Sequence, residues 1–103
     1  MLDIGFIGYI SVGGTLPLAI QCRDSEQAIS SPSSAPTFSV YPNGFDSATA
    51  TGSLGATDTD SKAGFRTGSL SISNSFVSGE LYTIIFEYTT GSSRSAIGTF
   101  QVV

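Results

Sequence analysis

Apolar and polar residues alternate along most of the chain, as expected for β-strands that bury one face. The clearest example, residues 81–88, has apolar side chains on both faces: Tyr82, Ile84, Phe86 and Tyr88 on one, Leu81, Thr83 and Ile85 on the other. A strand that is apolar on both faces is usually central in its sheet, or lies at a subunit contact. A Gly/Ser turn and the segment 98–103 follow, so the chain is predicted to end in two paired strands.

Further segments show the same period of two. Residues 15–23 would bury Leu16, Leu18, Ile20 and Cys22. Pro17 indicates either an edge strand or the first residues of a strand, because proline cannot donate a ladder hydrogen bond. Strands are also predicted over 37–41, with Phe38 and Val40 inward, over 47–54, and over 65–73, with a bulge near Gly68. About seven short strands separated by turns, with no helical period, predict an all-β protein with an antiparallel β-sandwich fold.

Residues 1–14 form a markedly apolar, β-prone segment that ends in Gly13-Gly14. They are either the first strand of the sandwich or an arm that adds to the sheet of a neighbouring subunit. Gly5 and Gly8 favour the arm, because glycine weakens a strand packed on its own core. The chain is therefore divided into this segment and a sandwich domain over 15–103. Its predicted partner-binding residues are Phe6, Ile7, Tyr9 and Ile10.

Composition excludes several classes of function. A chain of 103 residues forms one domain, and its net charge of −4 argues against nucleic-acid binding. The four basic residues are scattered rather than clustered: Arg23, Lys62, Arg66 and Arg94. No apolar run approaches the roughly 18 residues that would span a bilayer. Asp3 stands where a signal peptide would carry basic residues, so we expect no secretion signal and no membrane partner.

Candidate chemistry is sparse. The chain has no histidine, which removes Ser-His and Cys-His nucleophiles and most zinc sites, so no enzymatic activity and no cofactor are predicted. Asp58 and Asp60 form a close acidic pair, and their spacing is similar to a calcium loop without its glycine and terminal glutamate. A solvated turn without metal is the prediction. The single cysteine, Cys22, cannot form an internal disulfide and is expected to be a small buried hydrophobe.

Tyr82 has a more specific interpretation. The spacing Gly79-x-x-Tyr82 at the start of the penultimate strand resembles the tyrosine corner of immunoglobulin-like sandwiches. In that motif the hydroxyl bonds to nearby backbone and fixes the crossover between sheets. Tyr82 is therefore predicted to be structural rather than a ligand contact.

Three segments together resemble the small immunoglobulin-like β-sandwiches that tailed bacteriophages use as accessory parts of the virion. They are Gly14-Thr15-Leu16-Pro17-Leu18-Ala19-Ile20-Gln21, Ala35-Pro36-Thr37-Phe38-Ser39-Val40-Tyr41, and Phe76-x-x-Gly79-x-x-Tyr82 followed by Phe100-x-Val102. The resemblance implies an immunoglobulin-like fold and a head decoration (cement) protein, or a tail or baseplate module. Decoration proteins of this kind are often trimers on the capsid surface. The family has no invariant site that transfers to residues of this chain.

The function predicted from the resemblance is a structural virion protein that binds and stabilises the phage head through protein–protein contacts. It would be made in the host cytoplasm and end in the virion, with copies of itself (a trimer favoured) and the major capsid protein or another virion protein as partners. The alternative is a tail, baseplate or fibre module that binds a receptor or carbohydrate. That module would use Tyr41, Phe45 and the loops 24–36 and 55–63.

Overall fold

The structure, a computed structural model, describes residues 4–42 and 47–103, with side chains from Phe6 onward. Seven β-strands and one short 3₁₀ turn at Thr59–Ser61 make up its regular structure. The strands are β1 (Ile4–Ile10), β2 (Thr15–Gln21), β3 (Thr37–Tyr41), β4 (Ala50–Ser53), β5 (Phe65–Ser71), β6 (Leu81–Thr89) and β7 (Ser93–Val102). The all-β prediction with about seven strands is confirmed.

The strands form two sheets that face each other. One has five strands in the order β1-β7-β6-β3-β4, and the other pairs β2 with β5. In immunoglobulin-like sandwiches strands C, F and G share one sheet while B and E lie in the other. Here β3, β6 and β7 occupy the C, F and G positions, and β2 and β5 occupy B and E. The strand order thus agrees with the predicted sandwich, and β6 is central as its two apolar faces indicated.

The first strand departs from the antiparallel expectation. β1 pairs in parallel with β7, from Ile4 opposite Ile97 to Ile10 opposite Val102, and a register shift between Phe6 and Gly8 marks a bulge. The pairs β2–β5, β3–β4, β3–β6 and β6–β7 are antiparallel. β1 lies at the edge of the five-stranded sheet, whereas β2 lies in the other sheet. Residues 4–10 therefore form an edge strand on their own chain.

The core lies between the two sheets. Side chains from the β2–β5 sheet pack against side chains from β3, β6 and β7 of the five-stranded sheet. The β2–β5 sheet and the residue that follows β5 contribute Leu16, Leu18, Leu70 and Ile72. The five-stranded sheet contributes Phe38, Val40, Tyr82, Ile84, Phe86, Phe100 and Val102. The predicted inward faces of these strands are thereby confirmed. Ile20 packs against the same core at its margin, and Cys22 is fully buried.

Tyr82 forms the predicted tyrosine corner. Its hydroxyl accepts a hydrogen bond of 2.8 Å from the backbone N–H of Val77, five residues upstream. Its ring stacks on Phe100, with centroids 5.7 Å apart, and meets Phe76 edge-on at 4.9 Å. The hydroxyl thus fixes the turn that carries the chain from one sheet into β6.

Two local predictions were wrong. β4 covers four residues rather than the whole of 47–54. β5 pairs with β2 in regular register through Gly68, so the expected bulge is absent. Gly68 instead makes room for Leu54, since a Cβ atom at this position would lie 2.8 Å from the Leu54 Cδ2. The glycine is needed for close packing of the β4–β5 connection.

Candidate interaction surface

Exposed apolar side chains are concentrated at one end of the five-stranded sheet. Among the described residues, eight large hydrophobic side chains are exposed, and only Ile29 belongs to a distant loop. The other seven lie on β1 or around the end of the sheet where β1 ends, β6 begins and β7 ends: Phe6, Ile7, Tyr9, Val12, Val77, Leu81 and Val103. We call these seven residues the apolar patch. A concentration of exposed apolar side chains of this kind is a candidate interaction site.

Strand register brings the patch together. Tyr9 of β1 and Leu81 of β6 both pair with Gln101 of β7, so the three side chains form one row across the sheet. The N–H of Val103 donates to the carbonyl of Ile10 at 2.9 Å, which holds the C-terminal residue beside the end of β1. Residues from both ends of the chain therefore build one surface.

The turn before β6 completes the patch. Gly79, with a positive φ of 91° that suits glycine, donates from its N–H to the carbonyl of Val102 at 2.6 Å. This bond and the tyrosine corner fix the turn that carries Val77, whose side chain is 57% exposed. The patch is therefore held on hydrogen-bonded backbone.

The four predicted partner-binding residues differ in their positions. Tyr9 is 66% exposed, Phe6 is 53% exposed, and their rings meet edge-on with centroids 5.2 Å apart. Ile7 is exposed at the bulge. Ile10 is half-buried and packs against the core. Three of the four side chains are thus presented at the surface, and Ile10 anchors the strand.

A shallow apolar hollow adjoins β1 at the seam between the sheets. It measures about 210 Å³ and is lined by residues of β1, β2, β6 and β7, among them Phe6, Ile7, Ala19, Ile20, Phe86 and Ala96. Because its lining comes from both sheets, the hollow forms an apolar surface beside β1 that continues between the two sheets.

Sequence reasoning missed four members of the patch: Val12, Val77, Leu81 and Val103. Leu81 gave a signal, because it belongs to the outer apolar face of the strand recognised as apolar on both sides. The other three gave none, since they lie beyond the strand ends and join the patch only through tertiary contacts.

The alternative binding face contains a polar hollow of about 180 Å³ at the end of the β6–β7 hairpin. Its lining includes Ser34, Thr37, Glu87, Tyr88, Ser93 and Arg94. Tyr41, predicted for this face, is half-buried on β3, and Phe45 lies outside the described residues. The loop 24–36 contributes to the hollow, whereas the loop 55–63 does not line it.

The loops 24–36 and 55–63 are instead tied together by Arg66, which is buried to 3% exposure. Its Nε donates to the Asp58 Oδ1 at 3.1 Å, its Nη1 to the Gly55 carbonyl at 3.0 Å, and its Nη2 to the Pro32 carbonyl at 3.4 Å. One side chain thus satisfies acceptors in both loops, and the contacts are those of a structural clamp.

Asp58 is part of this clamp rather than a free turn residue. It accepts hydrogen bonds from the Ser31 hydroxyl at 2.6 Å and the Gly64 N–H at 3.2 Å, besides the bond from Arg66. The bonds from Ser31 and Arg66 lower the pKa of the Asp58 carboxyl below its ordinary value. The carboxylate is therefore engaged in holding the fold.

The remaining reactive groups are in similarly structural positions. Cys22 is fully buried, and this burial raises the pKa of its thiol.

Over residues 4–42 and 47–103 no three His, Cys, Asp or Glu side chains lie close enough together to hold a metal ion. In the same ranges the structure has no helix with the length and apolar character to cross a membrane.

Comparison with known proteins found no match among family models, curated proteins or solved structures.

Proposed function

We propose that this protein is a non-enzymatic structural component of a tailed-phage virion, a decoration protein that binds and stabilises the head. The observation that supports the proposal is the concentration of exposed apolar side chains on β1 and the adjoining end of the sheet. The resemblance of the strand and turn motifs to phage accessory sandwiches supplies the virion context. The major capsid protein is the proposed partner.

The size of the patch is adequate for protein binding. At roughly 200 Å² for an aromatic side chain, Phe6 and Tyr9, 53% and 66% exposed, present about 240 Å², and the five smaller aliphatic residues add to this area. A standard interface buries about 800 Å² on each partner, with an apolar centre and a polar rim, and the patch would supply the apolar centre. Burial of this apolar surface, at about 25 cal/mol per Å², would offset part of the entropy lost on binding.

Repetition on a capsid strengthens each contact. A shell presents many copies of one binding surface, and a decoration protein with several linked contacts gains avidity without new chemistry. A protein in this role needs no catalytic group, which fits a chain in which Cys22 and Asp58 both serve packing and hydrogen bonding.

The alternative is a tail, baseplate or fibre module that binds a carbohydrate or receptor. The polar hollow beside Tyr88 favours it, because hydroxyl, carboxylate and guanidinium groups surround a space suited to a small polar ligand. Specific glycan binding that is lost in Glu87→Ala and kept in Tyr9→Lys would support this alternative against the decoration role.

The test uses empty heads assembled from the major capsid protein of the genome that encodes this chain. Binding of the purified protein to these heads is measured with wild type, Tyr9→Lys and the matched control Ile29→Lys. Tyr9 and Ile29 are both exposed apolar residues, but only Tyr9 belongs to the patch. We expect saturable binding that Tyr9→Lys weakens at least about tenfold, equivalent to about 1.4 kcal/mol. Equal loss in both variants, or no saturable binding by wild type, would contradict the proposal.

A further inference from the structure

The sheet edges of this protein are protected unequally. An unpaired strand edge can pair with another chain, and proteins guard such edges with proline, charge, short strands or covering segments. In the described part of the chain, β4 is a four-residue edge strand. The edge of β5 is covered where the Gly55 N–H donates to the Thr67 carbonyl at 2.9 Å.

The edge of β2 is guarded by Pro17. The N–H of Cys22 donates to the Gly64 carbonyl, and the N–H of Ile72 donates to the Gly14 carbonyl. In an antiparallel ladder every second residue bonds to the same neighbour, so the even-numbered residues of β2 bond toward β5. Pro17 therefore points to the open side, where its missing N–H removes a donor from the edge.

β1 lacks these defences. Its seven residues contain no proline and no charged side chain, and the uncharged run continues through Val12. It pairs on one side with β7, and its other side is the outer edge of the five-stranded sheet. The bulge between Phe6 and Gly8 is itself an edge device, but it exposes the apolar Ile7 rather than a charge.

We propose that β1 pairs edge to edge with β1 of a second copy, antiparallel across a two-fold axis. The two five-stranded sheets then form one continuous ten-stranded sheet. This deepens the proposed function by naming one partner of the same apolar patch, and it rests on that function only in sharing the patch. A two-fold contact joins the same surface on both subunits, so one apolar edge strand is sufficient for both sides.

The uncharged edge of β1 and its capacity for main-chain pairing favour a second copy as the occupant. Each copy has a net charge of −4, and residues 4–12 carry no charge, so pairing along β1 brings no like charges into contact. Only Phe6, Ile7 and Tyr9 of the patch lie on β1, and the two aromatic side chains, 53% and 66% exposed, present about 240 Å² at roughly 200 Å² each. This is less than the roughly 800 Å² that a standard interface buries on each partner, so the pairing gains affinity mainly from main-chain hydrogen bonds along β1.

Sedimentation equilibrium of the intact protein tests the pairing. Wild type is expected at twice the chain mass of 10.6 kDa. Tyr9→Lys, which places a charge on the exposed edge strand, should raise the dimer dissociation constant at least about tenfold. Ile29→Lys is the matched control and should leave the dimer unchanged. Hydrogen exchange adds a second measurement, since backbone N–H groups of β1 should gain protection as concentration rises.

A wild-type monomer, a trimer, or equal dissociation in both variants would overturn the two-fold pairing. Circular dichroism of each variant establishes that a change in mass is not a loss of folding. Binding to empty heads, measured on the same samples, separates the two proposals. A monomer that still binds heads would contradict the pairing alone. A β1-dependent dimer that fails to bind heads would support the pairing and contradict the decoration role.

Discussion

Replacing Tyr82 by phenylalanine tests whether one hydroxyl holds the turn into β6. The substitution removes the acceptor of the 2.8 Å bond from the Val77 N–H. It keeps the aromatic ring, so the contacts with Phe76 and Phe100 remain. The free energy of unfolding should therefore change through this hydrogen bond alone.

The expected magnitude follows from the surroundings of the donor. Leaving a buried N–H without an acceptor costs about 1–3 kcal/mol. This hydrogen bond is only partly buried, so water partly replaces the lost oxygen and the cost falls in the lower part of the range, about 1–2 kcal/mol. For a domain of this size that lowers Tm by roughly 5–15 °C.

Urea unfolding followed by circular dichroism measures the change, with Tyr9→Phe as the control. Tyr9 is 66% exposed, and losing its hydroxyl should alter stability by less than about 0.5 kcal/mol. An unchanged m-value would show that both variants unfold as the wild type does. If Tyr82→Phe were as stable as Tyr9→Phe, the tyrosine corner would not stabilise this fold and the reasoning would be refuted.

Three further predictions concern the clamp and the core. Asp58→Asn should lower the free energy of unfolding at pH 7, measured by urea unfolding. The difference from wild type should shrink as pH falls below about 4. The reason is that a carboxyl whose pKa is lowered in the folded state stabilises that state only while it is ionised. Gly68→Ala should cost about 1–3 kcal/mol in the same assay, since its Cβ would lie 2.8 Å from the Leu54 Cδ2; a stability equal to wild type would mean that Leu54 moves freely. Cys22 should react with a thiol reagent far more slowly in the native protein than in urea, and fast native labelling would contradict its burial and raised pKa.

Local pattern predicted the elements of the fold. The period of two identified the inward faces of β2, β3 and β6. Pro17 indicated an edge strand or the start of a strand, and the structure places β2 at an edge. The Gly79-x-x-Tyr82 spacing predicted a hydrogen bond that the structure contains. These features depend on residues within a few positions of one another, so the sequence displays them directly.

The burial of Arg66 could not be predicted from its neighbours in the sequence. In the sequence Arg66 is one of four scattered basic residues, yet in the structure it is buried and hydrogen-bonded to groups in two loops. Asp58, read as part of a solvated turn, is its ion-pair partner at 3.1 Å. A lone basic residue in an alternating strand gives no sign of burial, because its partners lie 8 to 34 positions away.

The sequence alone determined which segments become strands, which faces they bury, and that chemistry-bearing residues are few. The tertiary structure decided which strands are neighbours: it placed β1 in parallel beside β7 and brought Val77, Leu81 and Val103 to the end of β1. The physical reason is that side-chain alternation records whether a face is buried but not which strand covers it. Partner choice depends on packing and hydrogen bonds between segments up to the full length of the chain apart.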